Sequence, residues 1–387
     1  MGFEAKNQPM NEFPILNPEE GIPLFYPFVA PEAFKEVEDS LNSRWIGQGP
    51  KVDLFEKQFQ KKIVPNNFPV AVGSGTDGLH LAYILSGIKE GDEVITPVFT
   101  CTATNLPLLY IKAKPVFADI NPLTMNINVD DIEHRITEKT KAIVAVDYGG
   151  VPADYEKLNK ICEKYQLKLI GDCAQSIGTL YKGRPISEYC DFTVFSFQAI
   201  KTISTSDGGM LVLKNYGDLP LAKRLRWFGI DRSEKQKGIW ENDVFEIGYK
   251  YQMTDIAACL GISSLKYFEK LVNHRKSIFE IYLENISNKQ INLINTPDKN
   301  GTSICPWLCT IIVENGRIDL MNKLREKGVE TAQVHYRNDR YSVFGSRKKD
   351  LPNMDYLEDK YLVLPIHHKV SINQAMEICQ YINEWQY

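Results

Sequence analysis

Short apolar runs alternate with longer amphipathic stretches through the first half of the chain, and this alternation constrains the fold more than any other feature. Runs at Pro69–Val72, Glu93–Val98, Lys114–Ala118, Ala142–Asp147, Lys168–Asp172 and Phe192–Ser196 read as strands. Helix-like segments fall between several of them, at Asp77–Leu85, Ala103–Ile111, Asp130–Ile136 and Asp154–Tyr165. Strands that take turns with helices build a largely parallel sheet covered by helices. Gly209–Leu213 reads as one more strand, entered through a tight turn at Gly208-Gly209. A long helical stretch, Thr254–Asn285, then carries the chain out of the first domain. Beyond it, strand signals at Trp307–Val313 and Tyr361–Pro365 mix with helices at Ile318–Lys327 and Asn373–Trp385. The expected architecture is α/β. A large domain over residues 1–274 holds the mostly parallel sheet, and a smaller α+β domain follows over 275–387.

Composition agrees with a protein of this size and narrows the function. The 387 residues exceed one minimal domain, and 43% hydrophobic with 24% charged residues supplies a substantial core. Net charge is -4 and the basic residues are scattered, so no nucleic-acid partner is expected. The run Arg347-Lys348-Lys349 reads as solvated surface. Met1 to Pro27 shows no apolar stretch flanked by positive charge, and no run approaches the roughly 20 apolar residues of a membrane span. The expectation is a cytoplasmic protein without a membrane partner. The cysteines form no Cys-x-x-Cys pair and the histidines make no zinc pattern, so neither disulfides nor a metal site is expected.

Three local constellations carry the chemistry. The first is Gly73-Ser74-Gly75-Thr76-Asp77-Gly78, between a strand and a helix. A loop of this kind turns backbone N–H groups and the positive end of a helix toward a phosphate. It also spells G-x-G-x-x-G, but the dinucleotide reading needs an acidic residue at the end of the second strand. Asp92 and Glu93 precede that strand instead. The second is Leu169-Ile170-Gly171-Asp172, an apolar strand ending in a carboxylate at the edge of the sheet where ligands bind. Such an acid could ligate Mg²⁺, cap a helix or pair with a cationic ring nitrogen, and alone Asp172 reads first as a helix cap. The third is Phe192 to Lys201, which sets a lysine just past an apolar strand with few charges nearby. Burial there would lower the pKa of Lys201 from about 10.4 and expose a nucleophilic amine. Together the three supply a phosphate anchor, an acid for a pyridinium nitrogen and a lysine for a Schiff base. These are the requirements of pyridoxal 5'-phosphate (PLP).

The runs GSGTDGLHLAY, GDEVITP, VFADI, GDCAQSIG, FSFQAIK, DGGML and GYKYQMTDI resemble the DegT/StrS-type sugar aminotransferases, from about residue 20 to the end. The resemblance implies the aspartate-aminotransferase-like fold type I. It implies that Gly75, Thr76 and Ser196 hold the cofactor phosphate, Gln175 contacts the ring hydroxyl and Asp172 the ring nitrogen, and Lys201 carries the cofactor and shuttles the proton. It implies a homodimer in which a Gly-Tyr-Asn-x-Arg segment reaches the partner's phosphate. Here that segment is Gly248-Tyr249-Lys250-Tyr251-Gln252, with Lys250 available as a point charge. A second departure is Cys101, where the family often has an aromatic residue stacked on the ring; Phe99 stands two residues earlier.

The implied reaction moves an amino group from an amino acid, with L-glutamate expected, to the keto group of a nucleotide-linked keto-deoxysugar for surface polysaccharide biosynthesis. Trp45 and Trp227 lie in segments that border the substrate in the family. Besides a nicotinamide oxidoreductase that would use the glycine loop, two alternatives stay open from sequence. One is a small phosphorylated ketone as acceptor, gripped by Arg337 and Arg340. The other is a sugar dehydratase of the same fold, against which Lys201 counts, because those relatives carry His at that place.

Overall fold

The computed structural model describes residues 15–239, 241, 243–294 and 301–387. The first fourteen residues, part of the segment read above for export signals, lie outside them. Seven strands form the main sheet: β1 (Phe68–Val72), β2 (Glu93–Pro97), β3 (Lys114–Ala118), β4 (Thr140–Val146), β5 (Lys168–Asp172), β6 (Phe192–Ser196) and β7 (Gly209–Leu213). Their spatial order is β1-β7-β6-β5-β4-β2-β3, and only β7 runs against its neighbours. The alternation in sequence therefore produces an α/β sheet of the expected kind. Its strands are buried almost throughout, as a sheet covered on both faces requires.

The sheet edge at β1 is closed by side chains. Glu56 accepts a hydrogen bond from the Ala71 N–H at 2.8 Å, and Arg226 donates to the Ala71 carbonyl at 2.8 Å. The two side chains pair with each other at 2.6 Å. Pro69 offers no N–H on the same strand, so the edge presents little to a foreign strand.

The first five α-helices are α1 (Ala33–Leu41), α2 (Pro50–Ile63), α3 (Gly75–Leu85), α4 (Thr102–Tyr110) and α5 (Tyr155–Tyr165). The expected helix Asp130–Ile136 is instead two short 3-10 turns, Val129–Asp131 and Glu133–Arg135. The side chain of Asn128 caps the first at Asp130 N–H, and the backbone turns again at Ile132, so no full helical turn accumulates. The expected stretch Thr254–Asn285 is two helices, α6 (Asp255–Lys266) and α7 (Phe268–Asn285), which meet at Tyr267. Phe268 and Val272 of α7 join the main core, whereas Ile278, Phe279 and Tyr282 join a second cluster. That cluster surrounds an antiparallel sheet of β8 (Ile291–Leu293), β9 (Cys309–Val313) and β10 (Tyr361–Leu364). A further two-residue pairing of Phe99–Thr100 with Tyr336–Arg337 ties the C-terminal part to the main sheet. All eight cysteines are free.

Candidate active site

Strand register explains why distant motifs converge. Val72, Gly209 and Ser196 are partners in one row across β1, β7 and β6. Because β1 and β6 both run against β7, their carboxyl ends share one edge of the sheet. The glycine loop, which follows Val72, therefore lies beside Ser196. In the next strands, Asp172 pairs with Val194 and with Val146, which puts the carboxylate on the same edge.

The loop is tight enough to require glycine. A Cβ on Gly75 would lie 3.0 Å from the Ser196 Cβ, and one on Gly209 would lie 2.6 Å from the Ser74 backbone. Ser74 caps α3 by accepting from the Asp77 N–H at 3.0 Å. The amides of Gly75 and Thr76 belong to the first turn and have no intrahelical acceptor, so they are open to an anion.

Asp172 is buried, at 4% exposure, and burial raises its pKa. Opposing that, Thr104 Oγ1 donates to it at 2.7 Å, the Ala174 N–H donates at 3.1 Å, and Lys201 adds its charge. Lys201 is pushed down to about 8 by burial, with Cys101 and Asp172 acting the other way and Arg275 adding to the depression. Its Nζ sits 3.6 Å from the centroid of the Trp307 ring.

Gln175 is held by two bonds. Its Oε1 accepts from the Gly149 N–H at 2.8 Å, which orients the amide so that Nε2 donates to His335 Nε2 at 3.1 Å. His335 is accordingly neutral with its proton on Nδ1; burial first, and Lys201 second, lower its pKa to about 3. Its backbone is left-handed, φ 67°, and its carbonyl accepts from the Tyr361 hydroxyl at 2.5 Å.

Several sequence expectations change here. Phe99 does not present a face to a ring ligand: it is 1% exposed, wedged edge-on against Tyr148 at 4.9 Å and Tyr361 at 5.1 Å. Arg337 is not free to grip phosphate. It is fully buried and chelated by Asp339 at 2.6 and 2.8 Å, with Asp355 beside it, so its charge is already neutralised. Arg340 is exposed and lies over the Tyr336 ring at 4.6 Å. The argument for a phosphorylated ketone therefore loses its anchor. Trp227 lines a cavity of about 640 Å³ with Arg226 and Arg232, and Trp45 packs against Gly49. Lys250 is exposed, 5.0 Å above the Phe228 ring, on a segment whose Tyr251 carbonyl accepts from the Gly73 N–H at 2.7 Å.

Sequence reasoning missed Thr104, Trp307 and Arg275 altogether, and it gave His335 no role. Val334-His335-Tyr336 was a visible signal for the last. Nothing local marks the others, since packing alone brings Thr104 to Asp172 and Trp307 to Lys201, with Arg275 bonded to the Trp307 carbonyl.

An α/β sheet with a glycine loop, a buried carboxylate and a lysine of depressed pKa along one edge defines the class of PLP-dependent enzymes with this fold. The model of the DegT/DnrJ/EryC1/StrS aminotransferase family matches residues 28–383, and the chain belongs to that family. It is 32% identical to the GDP-perosamine synthase of Escherichia coli O157:H7, over 94% of this chain and 98% of that one. It is 31% identical to the spore coat polysaccharide biosynthesis protein SpsC of Bacillus subtilis, over 94% and 96%. Spr1654 of Streptococcus pneumoniae, assigned as a sugar aminotransferase and solved with PLP, superposes with a TM-score of 0.88 at 28% identity, covering 94% and 98%. The chain is a PLP-dependent transaminase. The residues present fit the cofactor, because the amides at the start of α3 suit a phosphate and the buried carboxylate of Asp172 and the amine of Lys201 suit a cationic ring and its aldehyde. No helix among the described residues is long and apolar enough to cross a membrane.

Proposed function

We propose that this transaminase takes its amino group from an amino acid, with L-glutamate as donor. It delivers the group to the keto carbon of a nucleotide-linked deoxysugar used in surface polysaccharide. Lys201 and Asp172 are its catalytic residues. The observation that carries the proposal is a depressed Lys201 within the electrostatic reach of buried Asp172, in a chain similar over nearly its whole length to GDP-perosamine synthase.

When bound, PLP supplies a carbonyl that exchanges for an amino group and a ring that accepts the electron pair left by a departing proton. The rest falls to the protein. Gly75, Thr76 and Ser196 bind the phosphate through amides and a hydroxyl. Asp172, whose carboxylate accepts from Thr104 and the Ala174 amide against the upward push of burial, would orient the ring and pair with its nitrogen. Lys201 Nζ moves the proton, and its pKa of about 8 leaves a useful neutral fraction near physiological pH. Gln175 stays oriented by Gly149 and His335, with a second amide hydrogen for the ring hydroxyl. Lys250 serves the phosphate of a second copy, which its exposure supports. Domains at 1–274 and 275–387 belong to the same reading; the passage of α7 from one core cluster to the other supports that boundary. The protein works in the cytoplasm, where sugar nucleotides are available.

Incubation with L-glutamate and a panel of keto-sugar nucleotides and small keto-phosphates, with products identified by mass, tests the proposal. An amino-sugar nucleotide together with 2-oxoglutarate is expected. Amination of the keto-phosphates alone would overturn the acceptor class.

A further inference from the structure

We propose that Trp307 is a positioning residue for Lys201, holding the free amine on its indole face and the preceding carbonyl on its ring N–H. The observation is a double attachment. Lys201 Nζ lies 3.6 Å from the centroid of the ring, and Trp307 Nε1 donates to the Ile200 carbonyl at 3.1 Å. One indole thus grips both the tip of the lysine and the backbone that leads into it.

The indole itself is fixed from several directions. Phe25, from the N-terminal segment, stacks on it at 5.4 Å with 19° between the planes. The Trp307 backbone N–H donates to the Gly149 carbonyl at 2.9 Å, and Arg275 Nη1 donates to the Trp307 backbone carbonyl at 3.3 Å. Trp307 is 2% exposed. A residue held this firmly defines a place in space for the amine.

The chemistry suits a lysine that is covalently engaged in part of a catalytic cycle and free in the rest. An aromatic face attracts an ammonium but takes no proton from it, so the amine is held without being consumed. A carboxylate in that position would lock the charged form instead. The ionisable groups that act on Lys201 are Cys101 and Asp172, which favour the ammonium, and Arg275, which disfavours it; His335 is neutral. Burial costs the ammonium more than these supply, and the ring face recovers part of the loss.

The inference rests on reading Lys201 as the cofactor lysine. It is tested in protein loaded with pyridoxamine phosphate, the form in which no lysine is bonded to the cofactor. Acetylation of Lys201 by acetic anhydride is followed by peptide mass across pH. In Trp307→Leu the rate at pH 7 is expected to rise about five-fold, with the plateau at high pH unchanged. Trp307→Phe, which keeps a smaller and weaker ring and conserves the fold, is expected to give about two-fold. A purely structural role would change the plateau, through access, and leave the midpoint alone. A midpoint that stays or moves upward in both variants overturns the inference. If the visible absorption of the PLP-loaded protein survives in Lys201→Ala, the reading of Lys201 itself fails, which is a separate result.

Discussion

Asp172 shows how closely a functional group depends on one neighbour. Burial favours its neutral form, and the Thr104 hydroxyl at 2.7 Å is the largest influence restoring the carboxylate. The folded pKa is raised, so the ionised form that can pair with a ring nitrogen is lost as pH falls through that value. Thr104→Val removes a charge-assisted hydrogen bond and raises the pKa further. The acid limb of the kcat/KM profile then moves to higher pH, with roughly a ten-fold loss at pH 6 and a smaller one at pH 8. Steady-state kinetics across pH checks this; parallel profiles for variant and wild type would contradict it. Asp172 was legible in sequence only in company: alone it reads as a helix cap, and the glycine loop before it and Lys201 after it gave it a role. Thr104 was not, because it lies on α4, and only the crossing of α4 over the sheet brings its hydroxyl to Asp172.

Among the elements, β7 matters most. It is the one strand that reverses direction, and this lets the row Val72–Gly209–Ser196 join the glycine loop to the strand that leads to Lys201. Gly209 stands where the backbone of Ser74 passes, so Gly209→Ala forces a Cβ to within 2.6 Å of backbone that cannot yield. The expected result is destabilisation of about 1–3 kcal/mol in urea titration. A marked loss of retained PLP on gel filtration should accompany it. Gly217→Ala, where the nearest atom is 3.4 Å away, serves as the control and should change neither. The sequence displayed the strand and its glycine pair, but not the antiparallel direction. Hydrophobic patterning reports burial and is silent on direction. For the same reason the break at Tyr267 escaped notice: α6 and α7 continue one apolar stripe, and the interruption lies in backbone geometry.

At the scale of the whole molecule, the chain carries exposed apolar side chains on the segment that leads to Lys250. Phe245 is 82% and Ile247 84% exposed. Clusters of this kind mark association surfaces. A second copy is the expected partner, and light scattering should give twice the 44.2 kDa chain mass. Lys250→Ala should then weaken PLP retention several-fold without changing that mass, as loss of a phosphate contact would. A monomer, or unchanged PLP affinity in the variant, would remove the shared site. The fold class and the cofactor were legible because their signals are local runs of residues. The supporting residues Thr104, Trp307 and Arg275 were hidden, since they come from parts of the chain that meet only on folding.

The central claim is that Lys201 carries the cofactor, and it is open to direct measurement. Reduction of the purified, PLP-loaded protein with borohydride fixes the cofactor to its lysine, and digestion followed by mass spectrometry locates it. The account predicts a pyridoxyl group on the peptide containing Lys201 and on no other. A pyridoxyl group on a different lysine, or on none, would contradict it.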